Sequence, residues 1–191
     1  GMGEPLDNYE ELLRFIKLVS CEKGIGISQR NITVSTCGLV DKIRMLADEK
    51  LQITLAISLH APNDEIRRQT MPIANRYTIG EIIQACKYYF DKTGRRITFE
   101  YSMIRGVNDK EEHAKELAGR LSGLNCHINL IPLNEVKERN CYRSTKEDIE
   151  KFKTILEKYR KTVTIRREMG SDIDAACGQL RKKFLTKNGR N

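Results

Sequence analysis

No apolar run in the 191 residues approaches the ~18 that a membrane-spanning helix needs. Nothing reads as a secretory signal either. The six cysteines, at 21, 37, 86, 126, 141 and 177, never fall into C-x-x-C or C-x-x-x-C-x-x-C spacing. A local zinc or iron–sulfur site built from this sequence is thereby excluded, and no metal ligand is assigned. An even cysteine count would suit disulfides, but without a secretion signal reduced thiols in the cytoplasm are expected. Cys37, Cys86, Cys126 and Cys141 read as small packing residues. There is no internal repeat, no low-complexity linker, and no Gly-rich phosphate loop near the last strands.

What is there describes one ordinary domain. Hydrophobic residues make up 39% and charged residues 31%. A globule of this length buries about 70% of its unfolded surface and needs no covalent staples. The formal net charge is +8. Basic residues crowd Glu157–Glu168 and the segment Arg181–Asn191, which has five basic and no acidic side chains. Such an excess suits a polyanion partner, because neutralised phosphates release counterions. It also suits a solvated terminus. Only Tyr159 and Phe184 interleave aromatic surface, so charge suggests nucleic acid without establishing it.

Strand and helix patterns alternate along the chain. "NYEELLRFIKLVS", "LVDKIRMLADEK", "DKEEHAKELAGRLSG" and "STKEDIEKFKTILEKYRK" carry apolar residues at helical spacing, the last capped by Ser144 or Thr145. "TIGEIIQACKYYFDKTG" predicts a helix entered at Thr78 and stopped at Gly94. "NITVST", "QITLAISL", "RRITFEYSMI", "CHINLIPL" and "TVTIRR" read as strands. "QITLAISL" and "CHINLIPL" suit burial on both faces, and "RRITFEYSMI" alternates. This order predicts an α/β fold of parallel strands, either an open doubly wound sheet or a closed or partial (β/α) barrel. Polar residues gather just after strands, in "STCG", "SLHAPND" and "PLNEV". Barrels place their active sites there, which favours the barrel. The opening "GMGEPLDN" feeds a helix with no strand before it, so a barrel truncated at its N-terminus is expected.

Several short stretches suit chemistry. Gly3 permits close backbone approach and Glu4 offers a carboxylate to an ammonium, although a plain turn explains both. Ser35 and Thr36 suit a ribose, a carboxylate or a helix cap. Ser58 and His60 flank Leu59 and so face one side of a strand end. Asn134 closes "NLIPLN" with an amide that donates and accepts. In "GSDIDAACGQL", Cys177 sits between Ala175, Ala176 and Gly178, as if something approaches the sulfur. Arg166 and Arg167 would lower its pKa and Asp172 and Asp174 would raise it.

Taken jointly, "GMGEPLDN", "ITVSTCGLV", "LAISLHAPND", "INLIPLN" and "GSDIDAACGQL" resemble the RlmN and Cfr family of radical S-adenosylmethionine RNA methyltransferases. The resemblance runs from Gly1 to about Leu180 and is closer to the adenine carbon-2 enzymes than to the carbon-8 ones. It implies a radical SAM barrel over residues 1–180 and a basic tail over 181–191. It also implies methylation of carbon 2 of an adenosine in 23S ribosomal RNA, with transfer RNA as a further substrate. S-adenosylmethionine and a 4Fe-4S cluster served by a reductant protein are the implied cofactors. By resemblance, Gly3 and Glu4 contact the methionine amino end of S-adenosylmethionine, and Ser35, Ser58, Leu59, His60 and Asn134 line the same molecule.

Cys177 is the implied methyl carrier. It becomes S-methylcysteine, and a radical generated from a second S-adenosylmethionine takes hydrogen from that methyl. The resulting carbon radical adds to the adenine ring, a carbon that is not nucleophilic enough for direct transfer. The base must be unstacked or in a loop to reach it. Family members carry C-x-x-x-C-x-x-C upstream of "GMGEP", and Glu135 stands where proline is common. The chain is therefore expected to be the C-terminal part of such an enzyme, inactive by itself, with a sheet edge open to pairing. Two other readings stay open: a non-catalytic RNA-binding module with a degenerate pocket, and a metabolic barrel enzyme for a phosphorylated small molecule.

Overall fold

The computed structural model describes residues 3–133 and 142–166. Among the described residues, five strands form one sheet in the order β1-β2-β3-β4-β5, all parallel. They are β1 (Thr33–Thr36), β2 (Thr54–Ser58), β3 (Ile97–Met103), β4 (Cys126–Pro132) and β5 (Thr162–Ile165). A doubly wound sheet reverses its strand order at a switch point. Here each strand lies beside the one before it, the order of a (β/α) barrel segment.

Among the described residues the helices are α1 (Tyr9–Ser20), α2 (Val40–Asp48), α3 (Asp64–Thr70), α4 (Ile79–Thr93), α5 (Glu111–Arg120) and α6 (Lys146–Lys158). Local chemistry sets their ends. Thr78 accepts from the Glu81 amide while Glu81 returns to the Thr78 amide, a reciprocal cap on α4. Gly94 ends the same helix in the left-handed region at φ 66°. Thr145, rather than Ser144, caps α6 by accepting from Asp148. Ser144 is buried and donates to Asp109 instead. The short α3 stands where the sequence suggests only a turn. Asn63 caps it through the Ile66 amide, and seven residues carry too little apolar periodicity to be recognised.

The strand register sorts side chains onto two faces. Val34 pairs with Leu55, Ile57 with Phe99, Phe99 with Ile128, and Ile128 with Val163. These residues are buried in one core with Ile43, Leu46, Ile82, Tyr89, Leu117 and Phe152 of the helices. The Tyr101 and Phe152 rings lie 5.2 Å apart, joining β3 to α6. The other face is polar and only partly buried. Strand β2 is apolar on both faces through Ala56, as its near-continuous run suggests. Strand β4 differs from the expectation of two buried faces. It alternates, with His127, Asn129 and Ile131 half-buried, because "CHINLIPL" already places a polar residue at two of those three positions.

Candidate functional site

The polar residues singled out in the N-terminal half converge at the C-terminal ends of β1, β2 and β3. Glu4 sits at the start of a 3-10 turn, Pro5–Asn8. One oxygen of its carboxylate accepts from the Leu6 amide at 3.1 Å, and the other accepts from the Cys37 amide at 2.8 Å. The N-terminal turn is thereby tied to the loop after β1. Among the described residues, a Cβ on Gly3 would meet no atom within 4 Å.

Strand alternation separates Ser35 from Thr36. Thr36 points into the core, 1% exposed, and its hydroxyl accepts from the Gly38 amide. Ser35 lies on the polar face and donates to Glu100 at 3.0 Å. It does not cap α2, whose first turn has no side-chain cap. Gly38 has φ +100°, and a Cβ there would come within 2.8 Å of Ile82 Cδ1, so only glycine lets the chain turn this tightly. Beside it, burial and then the Glu4 carboxylate push the Cys37 thiol up to about 12. Cys37 is therefore a protonated packing residue and not a nucleophile.

Ser58 ends β2, and Leu59 and His60 follow it, so strand alternation does not set the side that His60 takes. Ser58 donates to Glu100 at 3.3 Å. Leu59 is fully buried, and its backbone bonds Glu100 through its N–H and Arg67 through its carbonyl. His60 adopts φ 57°, in the left-handed region. Its Nδ1 accepts from the Ser102 amide at 3.0 Å, so the proton of the neutral ring resides on Nε2. Burial dominates the His60 environment and lowers its pKa to about 4, with Glu100 opposing and Arg67 reinforcing the shift. At neutral pH the ring is an uncharged donor.

Three further residues complete this arrangement, and two of them, Arg67 and Asn108, carry no local sequence signal. Arg67, on α3, is fully buried and bonds backbone carbonyls: Cys37 at 2.6 Å, Leu59 at 3.2 Å, Ser58 at 3.4 Å and Tyr77 at 3.5 Å. One guanidinium thus pins the ends of β1 and β2 together, a task its fixed fork of donors suits. Asn108, also fully buried, accepts from the Ile104 amide and donates to the carbonyls of His60 and Ser102. Glu100 receives both serine hydroxyls. Alternation within "ITFEYSM" places Glu100 on the face opposite Phe99 and Tyr101, and that polar position inside a strand was the one available clue.

Further along the same face, Thr164 donates to Asn129 at 3.2 Å and lies 2.9 Å from His127 Nε2. Of the basic cluster at Glu157–Glu168, Lys161 donates to the Leu121 carbonyl and so serves the fold. Asn134, Cys141, Cys177 and the basic tail lie outside the described residues. Among the described residues no three His, Cys, Asp or Glu side chains come together as metal ligands, so these side chains do not fit an iron–sulfur cluster. They do fit a nucleoside bearing hydroxyl and ammonium groups, since carboxylate and hydroxyl oxygens and a neutral imidazole donor face one strand-end region. No helix among the described residues is long and apolar enough to cross a membrane.

Comparisons with known proteins agree with this fold. A curated relative from Lachnospira eligens, described as a probable dual-specificity RNA methyltransferase RlmN, is 61% identical over 97% of this chain and 53% of its own length. One of the same description from Clostridium novyi is 58% identical over 98% of this chain and 55% of its own. The chain thus spans about half the length of the curated relatives it matches. A crystal structure of a radical SAM methyltransferase from Sphaerobacter thermophilus superposes with TM-score 0.89 at 50% identity, over 94% of this chain and 52% of that one. A domain of pyruvate-formate lyase-activating enzyme from Bacteroides vulgatus shares the fold, with TM-score 0.65 at 21% identity. The family model described as Radical SAM superfamily matches residues 1–118. With its parallel sheet and strand-end polar site, this chain belongs to the radical SAM superfamily.

Proposed function

We propose that the chain is the S-adenosylmethionine-binding half of a cytoplasmic RNA methyltransferase that methylates carbon 2 of an adenosine in 23S ribosomal RNA, and in transfer RNA. The observation that carries this reading is the convergence of Glu4, Ser35, Ser58 and His60 at the ends of adjacent strands. Two curated relatives described as RNA methyltransferases support the substrate class.

In this reading Gly3 and Glu4 receive the methionine end of the cofactor. Ser35, Ser58, Leu59, His60 and Asn134 surround the rest. Neutral His60 gives a hydrogen bond from Nε2 without bringing a second positive charge toward the sulfonium. Cys177, flanked by small residues, accepts a methyl group and presents it to the base. When bound with a reduced 4Fe-4S cluster, S-adenosylmethionine supplies the radical chemistry that activates a methyl on an otherwise unreactive carbon. The cluster ligands and the reductant that serves them are assigned to parts of the enzyme other than these residues, which alone are expected to be inactive.

The test uses the full-length protein. After incubation with S-adenosylmethionine, peptide mass spectrometry is expected to find a methyl on Cys177. Nucleoside analysis of ribosomal RNA is expected to find 2-methyladenosine, absent with Cys177→Ala. Salt-sensitive RNA binding with no methyl on Cys177 would instead favour a non-catalytic RNA-binding module.

A further inference from the structure

Glu100 is the hub of the polar face. Its Oε2 accepts from Ser35 on β1 at 3.0 Å and from Ser58 on β2 at 3.3 Å. It lies opposite Ser58 and Asn129 in the sheet register, and Asn129 lies opposite Thr164. No residue motif in the sequence points to it, and the strand ends on which it acts are locked from behind by Arg67 and Asn108.

A serine hydroxyl has one proton. With both protons directed at the Glu100 carboxylate, Ser35 and Ser58 have only lone pairs left for a ligand. The second Glu100 oxygen adds a further acceptor. At the corner where β1, β2 and β3 meet, the three side chains Ser35, Ser58 and Glu100 therefore present acceptors only. A ligand carboxylate there would face three oxygens without a proton between them. A hydrogen-bond donor on the ligand would be matched.

We infer that Glu100 is a positioning residue that sets the polarity of Ser35 and Ser58, so that this corner takes a hydrogen-bond donor of the bound nucleoside ligand, a sugar hydroxyl or an ammonium, and rejects its carboxylate. This rests on the cofactor reading above. The Glu100→Gln amide keeps shape but replaces one acceptor oxygen by a donor; with that NH2 at the Oε2 position, where both serines donate, both serine protons are turned outward and the polarity is lost.

The test measures S-adenosylmethionine binding to the full-length protein by calorimetry, with the melting temperature as a check on folding. Glu100→Gln is expected to weaken binding by about tenfold to a hundredfold, the loss of a charge-assisted hydrogen bond. Ser58→Ala is expected to cost much less in the Glu100→Gln background than in the parent, because the serine acts through the polarity Glu100 sets. Two ligand analogues separate the donor sources, one lacking the ribose 2′-hydroxyl and one lacking the amino group. The analogue that lacks the relevant donor is expected to bind parent and variant equally, a split that a merely structural role would not produce. Should Glu100→Gln fail to fold, the Ser35→Ala/Ser58→Ala pair carries the same analogue test. A parent that binds S-adenosylmethionine beside a folded variant of unchanged affinity would overturn this inference alone. A parent that binds none would overturn the cofactor reading and this inference with it.

Discussion

The two faces of the sheet differ by one residue of strand period and by almost everything else. On β3, Ile97, Phe99, Tyr101 and Met103 are fully buried against the helices. Their neighbours Thr98, Glu100 and Ser102 look the other way and are half-buried. The apolar face supplies burial, worth roughly 25 cal/mol per Å² of apolar surface removed from water. The polar face contributes little of that and instead holds the groups assigned to chemistry. Because side chains alternate, one strand serves both purposes without compromise. The contrast teaches that stability and recognition are separable here by position parity, except where a buried polar residue links the two.

The sharpest test of that separation compares neighbours. Phe99→Ala is expected to lower unfolding free energy by about 3–5 kcal/mol, and Thr98→Ala to stay within ~0.5 kcal/mol, in urea denaturation. Comparable losses at both positions would mean that the polar face is as tightly packed as the core.

Arg67 is the exception that joins the faces. Arg67→Met removes the donors from carbonyls of both strand ends, and about 2–4 kcal/mol of stability is expected to go with them. Ligand affinity should fall in the same variant, since Cys37, Ser58 and Leu59 lose a shared anchor. A variant of ordinary stability and affinity would show that the guanidinium is dispensable.

The smallest effect concerns pH. His60 is held at about 4, against an ordinary 6.5, so the unfolded chain binds a proton between those values and the folded chain does not. The contribution of His60 to stability is therefore complete above pH 6.5 and is lost as pH falls toward 4, by up to about 3 kcal/mol. Denaturation midpoints at pH 7, 5.5 and 4.5 should show this slope in the parent and a shallower one in His60→Asn. Parallel profiles would mean the imidazole is solvated.

Much of the fold was legible because it depends on near neighbours. Thr78, Glu81 and Gly94 announce both ends of α4 within the helix itself, and the alternation in "ITFEYSM" announces β3 and its two faces. Ser58 and His60 were legible as polar residues gathered at a strand end, although the positive φ of His60 takes it out of the strand alternation. The short α3 was not, since its stability comes from the Asn63 cap and from buried Arg67 rather than from an apolar stripe.

The partners of those site residues were out of reach for a different reason. Ser35 and Glu100 are 65 positions apart, and Arg67 and Cys37 are 30 apart. Nothing in a local pattern distinguishes Glu100 from any other half-buried strand carboxylate. Local patterns along the chain carry the strand and helix order, the polar strand ends and the family to which these motifs belong. The sequential placement of β1 to β5, the bracing of the strand ends by one arginine and one asparagine, and the meeting of two serines at a single carboxylate emerge from folding alone. They are set by contacts between strands, where a parallel register brings together residues that chain connectivity keeps apart.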